Sequence, residues 1–174
     1  MAELSERQVK EMDIDWYCLV KGVPTHIASM GGFIPAKFRD RVKLRRHQDL
    51  VAYLLPSAEV KLNMELIDSL TANGYEYLDD QMISNAIEEA NRHHPGFEYL
   101  KEQPLPIRLF ASTFVEKARR GFRSFARRED ANGNEYVLIA EPTIPVRNDL
   151  GGLGLEELEC EVRDEGETIV LRET

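Results

Sequence analysis

The sequence predicts a single α+β domain, residues 1–174, in which an antiparallel sheet built from β-hairpins has two or three helices packed on it. Alternating apolar and polar residues flank turn sequences at residues 21–22, 130–133 and 165–166, which is typical of hairpins. Between the first two turns, apolar residues recur at helical spacing. A chain of 174 residues, 43% of them hydrophobic, is long enough to bury a core of its own.

The first hairpin is predicted between Ile14 and Met30. Apolar and polar residues alternate from Ile14 to Lys21, and a second extended run follows Gly22. Glycine readily adopts the positive φ that a two-residue hairpin loop requires, so Gly22 marks the reversal of the chain. The residues before Ile14 form either a short helix or a frayed end.

Three helices are predicted in the middle of the chain. The first covers residues 38–54 and has a thin apolar stripe. A short strand at 59–62 precedes the second helix, for which Asn63 is a suitable N-cap. The third helix begins at residues 79–80 and ends before Pro95, because the residue preceding a proline disfavours helical geometry.

The following stretch has two predicted parts. The prolines at 104 and 106 favour an extended segment. Thr113, with a glutamate three residues later, forms a capping box for a short helix that ends at Gly121. The alternative is a single helix over residues 113–128, because apolar side chains there also fall on one helical stripe.

The C-terminal third predicts two more hairpins. Strands at residues 122–129 and 134–141 flank Asp-Ala-Asn-Gly, a type I turn with glycine in the bulge position. Residues 142–157 form a loop, rich in glycine and proline, that leads to an acidic C-terminal hairpin. The strands of that last hairpin are predicted at 158–163 and 168–172.

The most informative feature of the sequence is a cluster of cations in an acidic chain. The formal net charge is -9, yet six of the twelve residues 117–128 are lysine or arginine. Phenylalanines lie within and just before this stretch, which we call the Arg/Phe segment. The residues expected to form its binding surface are Arg119, Arg120, Phe122, Arg123, Phe125, Arg127 and Arg128.

The Arg/Phe segment has three interpretations. The favoured one is a non-enzymatic binding or assembly protein, in which the segment contacts an acidic protein surface or a second copy of the chain in a homo-oligomer. Arginine and phenylalanine at alternate strand positions also suit single-stranded nucleic acid, although the net charge disfavours it. Alternatively, the acidic C-terminal stretch neutralises the arginines within the molecule. A second cluster, formed by the cations of residues 39–46, extends the basic surface if it folds nearby.

An alternative function, a small hydrolase-like enzyme, depends on three polar residues of the first hairpin. If residues 21–22 form a two-residue loop, Tyr17 lies opposite His26, and Asp15 projects from the same face. A histidine oriented by a carboxylate is a usable general base near neutral pH. The candidate catalytic residues are therefore Asp15, Tyr17 and His26, and the hypothesis requires a cleft over this face.

No motif predicts a metal or a cofactor. Cys18 and Cys160 have no further cysteine or histidine at ligand spacing, and Glu89 and His93 lie one helical turn apart without a third ligand. No apolar run is long enough to cross a bilayer, and the polar first residues do not resemble a secretory signal. We therefore expect a cytoplasmic protein with no metal, no cofactor and no membrane partner.

Overall fold

The computed structural model describes residues 2–72, 79–93, 95–128, 134–144, 159–160 and 162–172. These ranges contain six α-helices, a short 3-10 helix at Ala36–Phe38 and seven β-strands. The helices are α1 (Glu6–Glu11), α2 (Arg41–Ala52), α3 (Met64–Thr71), α4 (Asp80–His93), α5 (Gly96–Tyr99) and α6 (Leu105–Arg119). The strands are β1 (Asp15–Val20), β2 (Val23–Ala28), β3 (Val60–Leu62), β4 (Arg123–Arg127), β5 (Glu135–Pro142), β6 (Val162–Asp164) and β7 (Thr168–Leu171). The predicted α+β class is confirmed.

The described strands form one mixed sheet that curls into a half-barrel. The strand order is β1-β2-β4-β5-β7-β6, and β3 pairs with β5. The expectation of a purely antiparallel sheet is wrong at one pair, because β2 and β4 are parallel. A tight turn requires antiparallel pairing only of the two strands that it joins directly. β2 and β4 are instead joined by a long connection whose described residues include the α-helices α2 to α6.

The first hairpin has the register that the sequence predicts. Tyr17 pairs with His26, and the two-residue loop has φ values of 51° at Lys21 and 76° at Gly22. Positive φ at both central positions is the type I′ geometry that matches the twist of the flanking strands. Because side chains alternate along a strand, Asp15, Tyr17 and His26 share one face of the sheet.

The chain before the Arg/Phe segment is helical, whereas the sequence predicted an extended segment. Pro104 is the N-cap of α6, and Pro106 lies in its first turn. A proline in this position sacrifices no hydrogen bond, because the first N–H groups of a helix have no intrahelical acceptor. The capping box expected at Thr113 is also wrong, since Thr113 lies in the interior of α6. The helix stops before Gly121, as predicted, and Gly121 has a left-handed φ of 101°.

The Arg/Phe segment is the end of a helix followed by a strand, not one helix over residues 113–128. Its strand, β4, lies between β2 and β5 in the middle of the sheet. The β4–β5 register shifts between Ser124 and Phe125. Phe122, Ser124, Phe125 and Ala126 are all buried, whereas Arg123 is half-buried. A central strand that is covered on both faces buries neighbouring side chains in this way.

The three predicted helices in the middle of the chain are present, and the caps predicted for the second and third are confirmed. Asp40 caps α2 by accepting from the first N–H groups of the helix, and Asn63 caps α3 after the short strand β3. Asp79 accepts from the backbone N–H of Met82 at the start of α4. Hydrogen bonds to capping side chains therefore define where these three helices begin. The short helix α5 has no counterpart in the sequence predictions.

Two apolar clusters form the core. The first is built around the first hairpin and includes Trp16, whose ring centroid lies 4.7 Å from that of Phe38. The second lies between α6 and the sheet and includes Phe114. Cys18 and Cys160 are both buried in the first cluster. The sheet is therefore covered by apolar side chains around both its first hairpin and α6.

Some predictions fall outside the described residues: the turn at 130–133, the helix end at 73–74 and most of the loop at 142–157. The C-terminal hairpin of β6 and β7 is present, with antiparallel pairing across residues 165–166. Within the described ranges, no helix combines the length and the apolar character needed to span a membrane.

Candidate functional site

A cavity of about 750 Å³ opens between the first hairpin, α2 and α6. Apolar side chains reach it from α2 (Leu44) and α6 (Phe110 and Phe114), and its rim carries the exposed side chains of Met12 and Met30. The polar side chains that line it are Asp13, Asp15, Tyr17, Gln48, Thr113 and Lys117. A concave site that combines apolar side chains with convergent polar groups is a candidate binding site for a small molecule.

Asp15, His26 and Ser124 form a continuous hydrogen-bonded array beside this cavity. His26 Nε2 lies 3.0 Å from Asp15 Oδ1, and His26 Nδ1 lies 2.6 Å from Ser124 Oγ. His26 and Ser124 are completely buried, whereas 32% of the Asp15 side chain is exposed. The carboxylate is therefore the end of the array that reaches the cavity.

Two strand pairings assemble this array. The antiparallel pairing of β1 with β2 puts Asp15 and His26 on the same face, within reach of a diagonal contact. The parallel pairing of β2 with β4 places Ser124 directly beside His26, although 98 residues separate them in sequence. Three neighbouring strands thus contribute one polar group each.

The exposure of the three groups is the reverse of that in a serine hydrolase. In such an enzyme the serine hydroxyl faces the substrate and the carboxylate is buried behind the histidine. Here Ser124 is buried in the central strand and does not line the cavity. A nucleophile must reach the carbon that it attacks, so this arrangement favours Asp15, not Ser124, as the group that meets a ligand.

His26 is buried, but its surroundings are not purely apolar. Both ring nitrogens have polar neighbours in the array. Its ring centroid also lies 5.3 Å from that of Tyr17 and 6.2 Å from that of Phe114. The three predicted residues are therefore brought together, with Asp15 and Tyr17 at the cavity wall and His26 behind them.

Tyr17 is held as a neutral phenol. Burial, followed by the negative charges of Asp15 and Glu116, raises the pKa of Tyr17 well above its usual value. Its ring contacts Phe122 edge-on, with 5.2 Å between the centroids. At neutral pH Tyr17 can therefore donate a hydrogen bond, but it does not act as a base.

Hydrogen bonds from two other elements fix the backbone around Asp15. Gln48 Nε2, on α2, donates to the Asp15 carbonyl at 2.7 Å. The N–H of Ile14 donates to Ser29 Oγ at 2.8 Å, which joins the start of β1 to the end of β2. These contacts limit the freedom of the carboxylate, which is a requirement for a functional group in a preorganised site.

Charges of both signs line the cavity. Asp13 lies near the rim, and its Oδ1 accepts from the N–H of Met30 at 2.8 Å. Lys117, from the last turns of α6, supplies a cation, and its Nζ lies 3.7 Å from Glu116 Oε1. The cavity therefore presents a carboxylate pair on its hairpin side and an ammonium group on its α6 side.

The aromatic side chains of the Arg/Phe segment lie in the core. Phe122 and Phe125 are completely buried, and both belong to the cluster around the first hairpin. Stacking on a nucleic-acid base or on a partner side chain requires an exposed ring face. These two rings are therefore core residues in the described structure, not parts of an open surface.

The cations of the Arg/Phe segment contact groups of the same chain. Arg120, Arg123 and Arg128 pair with Glu116, Glu141 and Glu135 at 2.8, 3.3 and 2.8 Å. The guanidinium carbon of Arg119 lies 4.6 Å from the centroid of the Tyr99 ring, and Arg127 Nη1 donates to the Met30 carbonyl at 3.2 Å. The carboxylates in these pairs come from α6 and β5, not from the acidic C-terminal stretch that the sequence suggested.

Sequence reasoning missed three members of the site: Ser124, Gln48 and Lys117. A signal for the role of Ser124 was present, because a single hydroxyl residue stands between two phenylalanines in a predicted strand, and buried polar groups need partners. Which partner it has depends on the parallel pairing of β2 with β4, which the sequence pattern does not specify.

In the described part of the chain, no group of three or more His, Cys, Asp or Glu side chains is placed to hold a metal ion. His93 and the Glu88–Arg92 ion pair lie on α4, and His94 is outside the described residues.

Comparison of the chain with protein-family models, with curated proteins and with solved structures found no match.

Proposed function

We propose that this protein is a small hydrolase-like enzyme that binds its substrate in the cavity over the first hairpin and uses Asp15 as a general base. The observation that carries this proposal is the position of Asp15: its carboxylate lines the cavity while the two groups that orient it are completely buried. A carboxylate held in this way is a suitable acceptor for a proton from a bound water molecule.

In this mechanism Asp15 removes a proton from water as the water oxygen attacks a carbonyl or similar centre of the substrate. The neutral Tyr17 phenol donates a hydrogen bond to the oxygen on which negative charge develops. The proton held by Asp15 then passes to the leaving group. Tyr17 and Asp15 are two residues apart on one strand face, ~7 Å between their Cα atoms, which leaves room for a water molecule and a reacting centre.

His26 and Ser124 act on the position of Asp15. In the tautomer that carries its proton on Nε2, His26 donates to Asp15 Oδ1 and accepts at Nδ1 from the Ser124 hydroxyl. Burial of both groups keeps water from competing for these contacts. The array therefore holds one carboxylate oxygen in a defined direction.

The binding or assembly function expected of the Arg/Phe segment has less support. Its rings are buried, and its guanidinium groups contact carboxylates, a ring and backbone carbonyls of the same chain. A partner would have to replace those contacts, at a cost in desolvation and lost hydrogen bonds. The same facts disfavour single-stranded nucleic acid as a ligand of this segment.

The test compares Asp15→Asn with Asp13→Asn, a matched control that removes the other carboxylate of the same cavity. Hydrolysis of a panel of 4-nitrophenyl esters and phosphates is followed by nitrophenolate absorbance. We expect Asp15→Asn to lower kcat by about 10²-fold or more, as removal of a general base does, and Asp13→Asn to change it only a few fold. Far-UV circular dichroism confirms that both variants fold.

A fluorophosphonate probe separates this mechanism from a serine nucleophile. Such probes label activated serines that they can reach, so we expect no label on Ser124. Labelling of Ser124, a wild-type protein that hydrolyses none of the panel, or full activity in a folded Asp15→Asn variant would each contradict the proposed mechanism.

A further inference from the structure

The outer face of α2 carries a second group of cations. Arg41, Lys43, Arg45 and Arg46 lie within six residues of one helix, and all four are exposed. Among the ion pairs formed between described residues, none involves any of these four side chains. We call them the α2 cation cluster. In an acidic chain, four neighbouring cations without a carboxylate partner leave a locally positive surface.

Two exposed apolar side chains lie on the same outer face of α2 as these cations. Val42 is 74% exposed and Tyr53, the C-cap residue of α2, is 89% exposed. At 100° per residue, Val42 and Tyr53 fall within ~20° of each other on the helix. Arg41 and Arg45 lie on one side of them, and Lys43 and Arg46 lie on the other. Val42 therefore lies between two rows of positive charge, whereas Tyr53 lies on the same face ~10 Å beyond Arg46 along the helix axis, with Asp49 between the two apolar side chains.

The opposite side of α2 is fixed to the body of the protein. Val51 is buried, Leu44 packs against the core around the first hairpin, and Gln48 donates its hydrogen bond to the Asp15 carbonyl. Asp40 caps the helix through the N–H groups of Val42 and Lys43. The orientation of the helix is therefore set by its inner contacts, and the α2 cation cluster must face outward.

The titration of His47, on the flank of α2, agrees with a positive potential there. Burial, followed by the positive charges of Arg46 and Lys43, lowers the pKa of His47. The acidic groups near the cluster are few: Asp40 is engaged as the N-cap, and Asp49 lies on the outer face beside Arg45 and Arg46. The local balance of charge on this face remains positive.

We propose that the outer face of α2 binds an acidic, amphipathic segment of another protein. Apolar side chains of that segment contact Val42 and Tyr53, which lie three helical turns apart on one face of α2. Its carboxylates pair with the cations on either side of Val42. Three of the four cations are arginine, whose guanidinium groups match carboxylates in a bidentate geometry. Helix-on-helix recognition of this kind uses apolar anchors at helical spacing, and the flanking charges set specificity.

Two observations favour a protein segment over nucleic acid or an anionic membrane. The chain has a net charge of -9, so a dense polyanion or a charged bilayer repels the rest of the surface more strongly than a short peptide does. In addition, Asp49 lies within the exposed face, in a groove lined by Arg41, Val42, Arg45, Arg46 and Leu50. A carboxylate in that position opposes insertion of this face into lipid.

The experiment uses a synthetic helical peptide of about 20 residues with leucines at helical spacing on one face and glutamates on both flanks. A control peptide has the same composition, but its order is changed so that the leucines no longer share a face. Oligothymidylate and phosphatidylserine vesicles are the competing anionic probes. Binding of each to the full chain is measured by fluorescence anisotropy or cosedimentation, over a range of salt concentrations.

We expect the leucine-striped peptide to bind more tightly than all three other probes, with an affinity that falls as salt rises. Arg45→Glu with Arg46→Glu should weaken this binding about tenfold or more, and Val42→Ser with Tyr53→Ser should remove the preference for the striped peptide. The control pair, Arg7→Glu with Arg92→Glu, makes the same change in net charge on α1 and α4 and should leave binding nearly unchanged.

Each other outcome contradicts the proposal. Equal binding of the two peptides would mean that no amphipathic segment is recognised. Tighter binding of oligothymidylate or of the vesicles would assign the face to nucleic acid or to lipid. Failure to bind any probe, or equal losses in the α2 variant and the control variant, would remove the α2 cation cluster as a binding surface.

Discussion

The Arg/Phe segment and the α2 cation cluster have similar compositions but opposite environments. In the Arg/Phe segment, the side chain of Arg120 is only 8% exposed, and its Nη1 lies 2.8 Å from Oε1 of Glu116 on α6. In the α2 cation cluster, the side chains are exposed and none forms an ion pair with a described residue. A high density of cations in a sequence therefore predicts a binding surface only when the neighbouring residues leave those cations in water.

The difference follows from the apolar residues between the cations. The Arg/Phe segment contains Phe122 and Phe125, whose rings lie in the core. Their burial places Arg123 and the neighbouring arginines in or beside a central strand of the sheet. There, burial of an unpaired charge is costly, so the arginines contact carboxylates, carbonyls and a ring. α2 lies at the periphery with a thin apolar stripe, so its charged face remains in solvent.

The largest expected effect comes from the aromatic residues of the two regions. Phe125→Ala should destabilise the protein by about 3–5 kcal/mol, because it removes a completely buried ring and leaves a cavity in its place. Tyr53→Ala should change the free energy of unfolding by no more than about 0.5 kcal/mol, because that ring is exposed. Urea denaturation followed by circular dichroism measures both values, and a small loss in Phe125→Ala would contradict the burial of the Arg/Phe segment.

The next effect distinguishes the cations themselves. Arg120→Ala should cost about 3 kcal/mol, because it leaves the nearly buried Glu116 with only the more distant Lys117 as a cationic partner and removes the hydrogen bond to the Leu54 carbonyl. Arg45→Ala removes a charge from open solvent and should change stability by about 0.5 kcal/mol or less. The same denaturation assay applies. Equal stability losses in these two variants would mean that the two regions do not differ in the way described.

The smallest effect is a shift in the titration of His47. Because positive charges of Arg46 and Lys43 contribute to its lowered pKa, Arg46→Glu should raise the pKa of His47, whereas Arg128→Glu, just after the end of β4, should not change it. NMR titration of the imidazole protons measures the shift. An unchanged pKa in Arg46→Glu would show that the α2 cation cluster creates no effective potential at this position.

The same titration has a consequence for stability. A folded-state pKa below the usual 6.5 means that the unfolded chain binds the proton more tightly. His47 therefore contributes stability above about pH 6.5 that is lost as the pH falls through its folded-state pKa. Arg46→Glu should reduce that loss, and urea denaturation at several pH values between neutral and acidic measures the difference.

Much of the fold could be predicted because it depends on local contacts. Lys21 and Gly22 specify the loop and register of the first hairpin, and Asn63 and Asp79 define where two helices begin. The prediction failed at Pro104 and Pro106, because a proline pair is compatible with both an extended segment and the first turn of a helix. There, packing of the following apolar residues decided between the two.

For the candidate site, the sequence by itself determined that Asp15, Tyr17 and His26 share one face, since a two-residue turn fixes cross-strand neighbours. Only the tertiary structure decided that Ser124 completes the array, that α2 and α6 enclose a cavity over it, and that Arg120 is neutralised while Arg45 faces water. The physical reason is that a turn constrains residues within a few positions of each other. Contacts between distant strands and helices depend instead on the burial of the whole core, to which every element contributes.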